Sequence, residues 1–247
     1  MHRQEPPDPA GLAEPLALAG LVAVRHGQSA ANVAFAEAAR TGDTGLPVAG
    51  ADADVALSDL GAVQSAALGR WFAGLGQALR PDLVVCSPYR RARETWAAMA
   101  RTASDGGCPV PRMLVDERLR DREMGVFELH PPAALQERAP EEAERRARLG
   151  DWAYRPPGGE SLADVALRVG DLLTRLDRTL PGRRVLLVAH DGVMVALRHV
   201  IDGIGAPAPD GVTPVPNASV CAWEGDGRRL RLTAWATTAH LTGDAAP

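Results

Sequence analysis

The stretch LVAVRHGQSAAN, residues 21–32, joins an apolar run directly to a polar cluster. Residues 21–24 form a continuous apolar run, which is typical of a strand that is covered on both faces. Arg25, His26 and Gly27 follow at once. A strand end whose polar residues meet water would account for this pattern, and so would a site that binds a phosphate group. Other parts of the sequence are needed to distinguish a solvated strand end from a phosphate-binding site.

Apolar strands and amphipathic helices alternate along the rest of the chain. Strands are predicted at residues 82–86, 113–115 and 185–190, and two more close the chain at 218–223 and 230–235. Apolar residues at helical spacing predict helices between them, one of which begins after an N-cap at Ser58. This alternation predicts an α/β fold, a three-layer α/β/α sandwich with a mostly parallel central sheet.

Three of the predicted strands end in polar clusters. These clusters are Arg25-His26-Gly27, residues 87–93, and His190-Asp191-Gly192. Ligands of parallel α/β sheets bind outside the carboxyl ends of the strands. We therefore expect the three clusters to lie together at one edge of the sheet and to form a site.

Length and composition restrict the class of protein. The 247 residues fit one domain over residues 16–247, preceded by a flexible Pro-rich tail at 1–15. The net charge of −4 provides no basic surface, so nucleic acid is not expected as a partner. Three scattered cysteines predict a cytoplasmic protein without a disulfide framework. No signal peptide or membrane-spanning segment is predicted, so no membrane partner is expected.

The residue types in the three clusters suit phosphoryl transfer. A phosphoryl group needs cations around its oxygens, a nucleophile in line with the bond that breaks, and an acid for the leaving oxygen. Arg25 and Arg91 can supply the positive charge. One His could attack phosphorus and carry the group covalently, while the other binds the same oxygens.

Several short motifs, in the same order along the chain, resemble those of the histidine phosphatase superfamily, also called phosphoglycerate mutase-like proteins. The resemblance covers residues 21–220, most of the chain. The motifs are Arg25-His26-Gly27-Gln28-Ser29 with Asn32, Asp54-Val55-Ala56-Leu57-Ser58 with Gly61 and Gln64, Ser87-Pro88-Tyr89-Arg90-Arg91-Ala92 with Thr95, and Gly158-Gly159-Glu160-Ser161 before the strand that ends at His190.

The resemblance implies a role for each polar residue of the site. His26 would be the nucleophile that becomes phosphorylated. The phosphoryl oxygens would be bound by Arg25, Arg91 and His190. The residues expected to contact the substrate are Gln28, Ser29 and Asn32.

The general acid of this family lies in a segment with the pattern L-x-E-x-x-x-G. This segment corresponds to residues 119–125, LRDREMG, so the acid position holds Asp121 where the family has Glu. The Asp side chain is shorter by one methylene group. Glu123 in the same segment is a second candidate, and both remain open as proton donors.

The resemblance predicts a phosphatase that hydrolyses a phosphomonoester of a small molecule through a phosphohistidine, with no metal and no organic cofactor. The alternatives are a phosphoglycerate-type mutase and a catalytically weak module that binds phosphorylated ligands. Residues 33–53 and 126–157 are predicted to form a lid that decides between hydrolysis and transfer. Residues 132–150 are predicted to form one mostly solvated helix. It carries Arg145, Arg146 and Arg148, one of which could meet a second anion of the substrate.

Overall fold

A six-stranded sheet forms the centre of the structure, a computed structural model that describes residues 16–45, 48–203 and 215–246. The strands lie in the order β3-β2-β4-β1-β5-β6. The tail predicted at residues 1–15 falls outside the described residues, so the division into tail and domain stays a prediction. The strands are β1 (Gly20–Arg25), β2 (Leu83–Cys86), β3 (Met113–Val115), β4 (Arg184–Ala189), β5 (Val220–Gly225) and β6 (Leu230–Thr237).

The four strands β1 to β4 run parallel to one another, β5 pairs antiparallel with β1, and β6 pairs antiparallel with β5. In the register of the sheet, Arg25 at the end of β1 pairs with Ala189 at the end of β4. Cys86 at the end of β2 pairs with Val188. The carboxyl ends of β1, β2 and β4 therefore stand side by side, as the sequence predicts.

Helices cover both faces of this sheet. Helices α6 and α7 contribute to the core on one face, and α2 and α3 contribute to the core on the other. Among the described residues, no helix is both long and apolar enough to cross a membrane. The helices are α1 (Ala30–Thr41), α2 (Asp59–Ala73), α3 (Arg90–Asp105), α4 (Pro132–Arg138), α5 (Pro140–Ala153), α6 (Leu162–Thr179) and α7 (Asp191–Asp202).

The central strands are apolar on both sides because each side meets a different layer of helices. In β1, Leu21 and Ala23 belong to the core beneath α6 and α7, whereas Val24 belongs to the core beneath α2 and α3. In β4, Leu187 belongs to the core beneath α6 and α7, and Leu186 belongs to the core beneath α2 and α3. Alternate side chains of a strand point to opposite faces. The predicted three-layer sandwich with a mostly parallel sheet is therefore confirmed.

The segment predicted as one solvated helix at residues 132–150 consists of two helices, α4 and α5. Pro140 begins α5, and a proline disfavours the helical conformation of the residue before it. Ala139 accordingly has φ −145° and ψ 65° and separates the two helices. The exposure of α5 is as predicted, because none of its side chains, all within the described residues, is buried, whereas Ala134 and Leu135 of α4 are buried.

Candidate active site

The residues that follow β1, β2 and β4 meet at the carboxyl edge of the sheet. The backbone N–H of His26 donates to the carbonyl of Ala189 at 3.0 Å. The rings of His26 and His190 lie 5.1 Å apart between centroids, and both side chains are buried. Three polar clusters that are far apart in sequence thus form one site, as the strand order requires.

The imidazole of His26 has a defined tautomer. Its Nδ1 lies 2.7 Å from the carbonyl oxygen of Gly27, which can only accept, so Nδ1 carries the proton. Its Nε2 accepts a hydrogen bond from Nε of Arg91 at 3.2 Å. Burial, followed by the charges of Arg91, His190 and Arg25, lowers the pKa of His26 well below its usual value. His26 is therefore a neutral imidazole at neutral pH, and its Nε2 lone pair accepts the hydrogen bond from Arg91.

The turn after β1 is held against α2 and α3 at very close range. The backbone N–H of Gly27 donates to Oγ1 of Thr95 at 3.0 Å. A Cβ on Gly27 would lie 2.5 Å from the carbonyl oxygen of Gly61, and a Cβ on Gly61 would lie 1.9 Å from that of Gln28. Neither position can take a side chain unless the backbone moves, so both glycines set the position of His26.

Side chains of the second motif bind the same turn. The backbone N–H of Gln28 donates to Oε1 of Gln64 at 2.9 Å, and its carbonyl accepts from the N–H of Ser58 at 2.9 Å. Ser58 also caps α2, as predicted, through a hydrogen bond from Gly61. The motif from 54 to 64 therefore contributes to the site by positioning the turn that carries His26.

Gln28 was predicted to contact the substrate, but its side chain does not line the cavity. Its Oε1 accepts a hydrogen bond from Oγ of Ser58 at 2.8 Å, which directs the side chain toward α2. Gln28 is absent from the described residues that line the cavity beside His26. The structure thus places Gln28 with the support of the turn and not with the residues that face a substrate.

Arg91 is the central cation of the site and is almost completely buried. Besides His26, it binds both carboxylate oxygens of Asp52 at 2.9 Å each and Oδ2 of Asp121 at 2.7 Å. Burial opposes its charge, but Asp121 and Asp52 outweigh burial and raise the pKa of Arg91. The guanidinium of Arg91 also lies over the ring of Tyr89, with its carbon 5.0 Å from the ring centroid. Asp52 is a site residue that the sequence did not indicate.

Asp121 lies between Arg91 and His190. Its Oδ2 is 3.2 Å from Nδ1 of His190, a close contact that is not aligned as a regular hydrogen bond. Burial opposes the ionised form of Asp121, but His190 and Arg91 together hold its pKa well below the usual range. The carboxylate is therefore ionised in the structure and forms an ion pair with Arg91.

Ser87, directly after β2, sets the tautomer of His190. Its Oγ accepts from the backbone N–H of Tyr89 at 3.2 Å and lies 2.8 Å from Nε2 of His190. The Ser87 hydroxyl therefore donates to Nε2, and Nδ1 of His190 carries the proton on the side of Asp121. Such an N–H is suited to donate to a phosphoryl oxygen.

Only one of the two acidic candidates faces the cavity. Asp121 lines it, whereas Glu123 is absent from the described lining residues. The Glu123 carboxylate binds Nε of Arg120 at 2.8 Å, and its side chain is 45% exposed. The position therefore favours Asp121 over Glu123 as the proton donor.

Ser29 and Asn32 lie together at the start of α1, and both line the cavity. They form a reciprocal cap in which Oδ1 of Asn32 accepts from the backbone N–H of Ser29 at 3.0 Å. The same oxygen accepts from Nδ2 of Asn217 at 3.0 Å, and Asn217 also donates to the carbonyl of His26 at 3.3 Å. Because its oxygen is already used as an acceptor, the amide N–H groups of Asn32 are the groups that could donate to an anion. Asn217 is a second residue that the sequence did not indicate.

Arg25 faces the cavity beside Asp191, the first residue of α7. One terminal nitrogen of Arg25 donates to the carbonyl of Val215, and the other lies 3.3 Å from the Asp191 carboxylate. Arg25 thus joins β1, α7 and the chain after residue 214. Its guanidinium provides a second cation near His26.

The cavity at this edge has a volume of ≈ 460 Å³ and extends well beyond the two histidines. Both segments predicted as a lid contribute to its walls, although their closure stays a prediction. One of these residues is His130, which belongs to none of the motifs found in the sequence. Another is Glu128, whose pKa burial raises to about 7. The lining residues from the two segments are Phe35, Asp52, Phe127, Glu128, Leu129, His130, Pro131, Pro132, Leu135, Arg146 and Asp151.

Three potential metal ligands meet in this cavity. One ligand atom each from His26, Asp121 and His190 lie within 4.8 Å of one another. The guanidinium of Arg91, however, binds Nε2 of His26 and Oδ2 of Asp121, so a cation already faces two of the three ligands. The charge of Arg91 would repel a metal ion. A metal-independent site therefore remains the prediction.

Comparison with known proteins supports the family resemblance. The sequence profile described as histidine phosphatase superfamily (branch 1) matches residues 21–238. A glucosyl-3-phosphoglycerate phosphatase of Mycobacterium tuberculosis is 30% identical over 240 residues, which cover 91% of this chain and 97% of that protein. A 2,3-bisphosphoglycerate-dependent phosphoglycerate mutase of Methylorubrum extorquens is 32% identical over 190 residues, which cover 74% of this chain and 79% of the mutase.

Solved structures of similar proteins also match this chain over most of its length. The structure described as mycobacterial hydrolase 1 matches with a TM-score of 0.69 and 29% identity, over 89% of this chain and 99% of that one. Mycobacterial glucosyl-3-phosphoglycerate phosphatase in complex with VO3 matches with a TM-score of 0.68 and 29% identity, over 87% of this chain and 98% of that one. This chain is therefore similar over most of its length to both phosphatases and mutases.

Proposed function

The chain belongs to the histidine phosphatase superfamily, and from that premise we propose that it is a phosphatase which hydrolyses a phosphomonoester of a small molecule through a phosphohistidine on His26. The observation that carries this proposal is the state of the His26 imidazole. Its proton is held on Nδ1 by the carbonyl of Gly27, and its unprotonated Nε2 accepts a hydrogen bond from Arg91, with which it lines the cavity. A neutral imidazole in that position is a nucleophile for phosphorus.

The reaction proceeds in two displacements. In the first, Nε2 of His26 forms a bond to phosphorus, the bond to the ester oxygen breaks, and Asp121 gives a proton to the leaving alcohol. In the second, Asp121 takes a proton from water, the water oxygen attacks phosphorus, and the bond to Nε2 breaks with release of phosphate. The charge on the phosphoryl oxygens is stabilised by Arg25, Arg91 and His190.

Asp121 has to gain a proton before it can act as the acid. It is ionised in the structure because His190 and Arg91 lower its pKa against the effect of burial. A bound phosphate ester would compete for the N–H groups of Arg91 and His190 and would add negative charge beside the carboxylate. Both changes raise the pKa of a carboxyl group. Substrate binding therefore prepares Asp121 for its role.

A phosphoglycerate-type mutase is the second candidate, and the identity of 32% to such a mutase favours it. That mutase match covers 74% of this chain, whereas the match to the glucosyl-3-phosphoglycerate phosphatase covers 91%. We give the phosphatase precedence because its match covers the larger share of this chain. A mutase would return the phosphoryl group of His26 to a bound sugar acid before water reaches it.

The two candidates differ in the fate of the phosphoryl group. We expect wild-type protein to release inorganic phosphate from p-nitrophenyl phosphate and from 3-phosphoglycerate, and the variant His26→Ala to release none. Phosphorus NMR of the 3-phosphoglycerate reaction, with 2,3-bisphosphoglycerate as primer, measures free phosphate and 2-phosphoglycerate together. Formation of 2-phosphoglycerate faster than phosphate would replace the phosphatase by the mutase. Binding of phosphate esters without either product would indicate a binding module.

The proposal includes no metal and no organic cofactor, because Arg25, Arg91 and His190 supply the positive charge and the hydrogen bonds that the phosphoryl group needs. The substrate is a phosphorylated small molecule. The cytoplasmic location, predicted from the scattered cysteines, also remains part of the proposal.

A further inference from the structure

Every N–H group of Arg91 already has an acceptor in the structure. An arginine has five N–H donors, one on Nε and two on each terminal nitrogen. Nε donates to His26, and one terminal nitrogen donates to the carbonyl oxygen and to Oδ1 of Asp52 at 2.7 and 2.9 Å. The other terminal nitrogen donates to Oδ2 of Asp52 at 2.9 Å and to Oδ2 of Asp121 at 2.7 Å. A phosphoryl group can therefore bind this guanidinium only if it displaces an acceptor.

The two carboxylates also cover Arg91 on the side of the cavity. Arg91, Asp52 and Asp121 all line the cavity, yet only 4% of the Arg91 side chain is exposed. A cation that stabilises a phosphoryl group has to contact the oxygens of that group directly. One of the two carboxylates must therefore leave Arg91 before this cation can act.

Asp52 is held by fewer contacts than Asp121. The Asp121 carboxylate also accepts from the backbone N–H of Arg122 at 2.8 Å and lies close to His190. The Asp52 carboxylate has no hydrogen-bond partner other than Arg91 in residues 16–45, 48–203 and 215–246. An anion that enters the cavity would therefore displace Asp52 and leave Asp121 in place.

The local structure around Asp52 allows this displacement. Asp52 begins a short 3₁₀ turn, Asp52–Asp54, which has no side-chain cap and in which no residue is buried. The main-chain carbonyl of Asp52 binds Arg91 independently of the carboxylate. Rotation of the Asp52 side chain would therefore free the guanidinium while the turn stays beside it.

The donors that Asp52 would release match those that a phosphoryl group needs. The two carboxylate oxygens of Asp52 take one N–H from each terminal nitrogen of Arg91, both at 2.9 Å. Carboxylates and phosphates bind a guanidinium in this same bidentate way. The Asp52 carboxylate thus occupies the position in which two phosphoryl oxygens would bind Arg91.

We propose that Asp52 is an internal competitor of the phosphoryl group, which occupies Arg91 in the free enzyme, leaves when an ester binds and returns when inorganic phosphate is released. The proposal rests on the proposed function, since it requires Arg91 to bind the phosphoryl group. Breaking the pair of Asp52 and Arg91 weakens the binding of every phosphoryl group. An ester can offset this loss through contacts of its remaining part, whereas inorganic phosphate has no such part. Asp52 therefore limits inhibition by the product.

A purely structural role for Asp52 makes the opposite prediction. If Asp52 only orients Arg91, the loss of its charge should weaken the binding of phosphate. If Asp52 competes with phosphate, the same loss should strengthen binding, because Arg91 is left with an uncompensated charge that an anion can neutralise. The variant Asp52→Asn tests this difference, since it removes the charge and keeps the shape of the side chain.

Asp105→Asn is the matched control for this variant. Asp105 is the last residue of α3, the helix that carries Arg91, and lies about 21 Å from it along the helix axis at about 1.5 Å per residue. It is exposed and is absent from the described residues that line the cavity. The control therefore has the same change in net charge without a change in the site.

The test measures the binding of inorganic phosphate by calorimetry and its inhibition of p-nitrophenyl phosphate turnover. We expect both the Kd and the inhibition constant to fall by about tenfold or more in Asp52→Asn, the usual range for hydrogen bonds to charged groups. Asp105→Asn should keep the wild-type values. Unchanged or weaker binding in Asp52→Asn, or an equal change in both variants, would overturn the proposal.

A crystal structure of the wild-type protein with inorganic phosphate tests the same exchange without any variant. We expect phosphate oxygens at about 3 Å from both terminal nitrogens of Arg91, with the Asp52 carboxylate beyond hydrogen-bond distance. Phosphate beside His26 with both Asp52 oxygens still on Arg91 would overturn the proposal.

The measurements also separate this proposal from the phosphatase itself. Turnover of p-nitrophenyl phosphate by the wild-type protein, without tighter phosphate binding in Asp52→Asn, would refute the competitor and leave the phosphatase intact. Tighter phosphate binding in Asp52→Asn, without turnover of any ester by the wild-type protein, would support the competitor and refute the phosphatase.

Discussion

Replacing Gly61 by Ala should displace His26, the proposed nucleophile, although the added methyl group would contact Gln28 and not His26. The added Cβ would lie 1.9 Å from the carbonyl oxygen of Gln28, and real Cβ atoms essentially never come within 3.0 Å of such an atom. Helix α2 and the turn after β1 must therefore separate by about 1 Å, since a close-packed interior leaves no free space. His26 lies two residues before Gln28 in that turn and has to move with it.

The expected loss follows from this displacement. A misplacement of about 1 Å can reduce catalysis by about 10²-fold, so kcat/KM of Gly61→Ala for p-nitrophenyl phosphate should fall by that order. The helix itself would gain from the change, because Ala favours an α-helix over Gly by about 1 kcal/mol. A loss of activity would therefore come from the contact with the turn. The assay is kcat/KM, accompanied by the melting temperature to show that the variant is folded.

Gly170→Ala is the matched control for this prediction. Gly170 also lies inside a helix, α6, but a Cβ there would be 3.7 Å from the nearest atom, a methyl group of Val200. This variant should keep full activity. Folded Gly61→Ala with wild-type activity, or equal losses in both variants, would refute the positioning role of the contact.

Three other predictions concern the chemistry. Asp121→Asn should reduce kcat/KM for alkyl phosphates by about 10²–10⁴-fold and reduce it far less for p-nitrophenyl phosphate, whose leaving group needs little help; equal small losses would remove Asp121 from the acid role. In an NMR titration, His26 should stay neutral as the pH falls through 6.5, because burial and then Arg91 lower its pKa. The variant Arg91→Gln should raise the pKa of His26. A pKa at or above 6.5 for His26 in the wild-type protein would contradict this prediction. EDTA should leave turnover unchanged, and activity that is lost in EDTA and restored by Mg²⁺ or Zn²⁺ would contradict a metal-independent site.

The central strands could be predicted from the sequence because their environment is simple. Residues 21–24 and 185–189 are buried from both sides, so nearly every position is apolar and the run is easy to recognise. The convergence of His26 and His190 followed from the rule that parallel strands end at one edge of the sheet. The N-cap at Ser58 was predictable because a cap depends on residues only three positions apart.

Residues that act through distant contacts left no local signal. Asp52 binds Arg91 across 39 positions, and Asn217 binds Asn32 across 185. Neither contact produces a spacing that a strand or helix pattern would show. Gln28 illustrates the reverse case, because it lies within a recognisable motif but packs on α2. A motif identifies the segment at a site and not the direction of each side chain.

The choice between Asp121 and Glu123 also needed the structure. Both lie in an irregular stretch between two short 3₁₀ turns, where no period of 2 or 3.6 residues assigns side chains to a face. Contacts settle the direction: Glu123 pairs with Arg120 outside the cavity, and Asp121 pairs with Arg91 inside it. The split of the predicted solvated helix into α4 and α5 depended on Pro140, a local signal that was present in the sequence.

The most direct test of the account is to trap the phosphorylated enzyme. Rapid mixing with a phosphorylated substrate, followed by a quench and mass spectrometry, identifies the modified residue. We predict an acid-labile, base-stable phosphoryl group on Nε2 of His26 that forms and decays at rates compatible with turnover and is absent in His26→Ala. A label that survives His26→Ala, or turnover in which no phosphohistidine forms, would contradict the account.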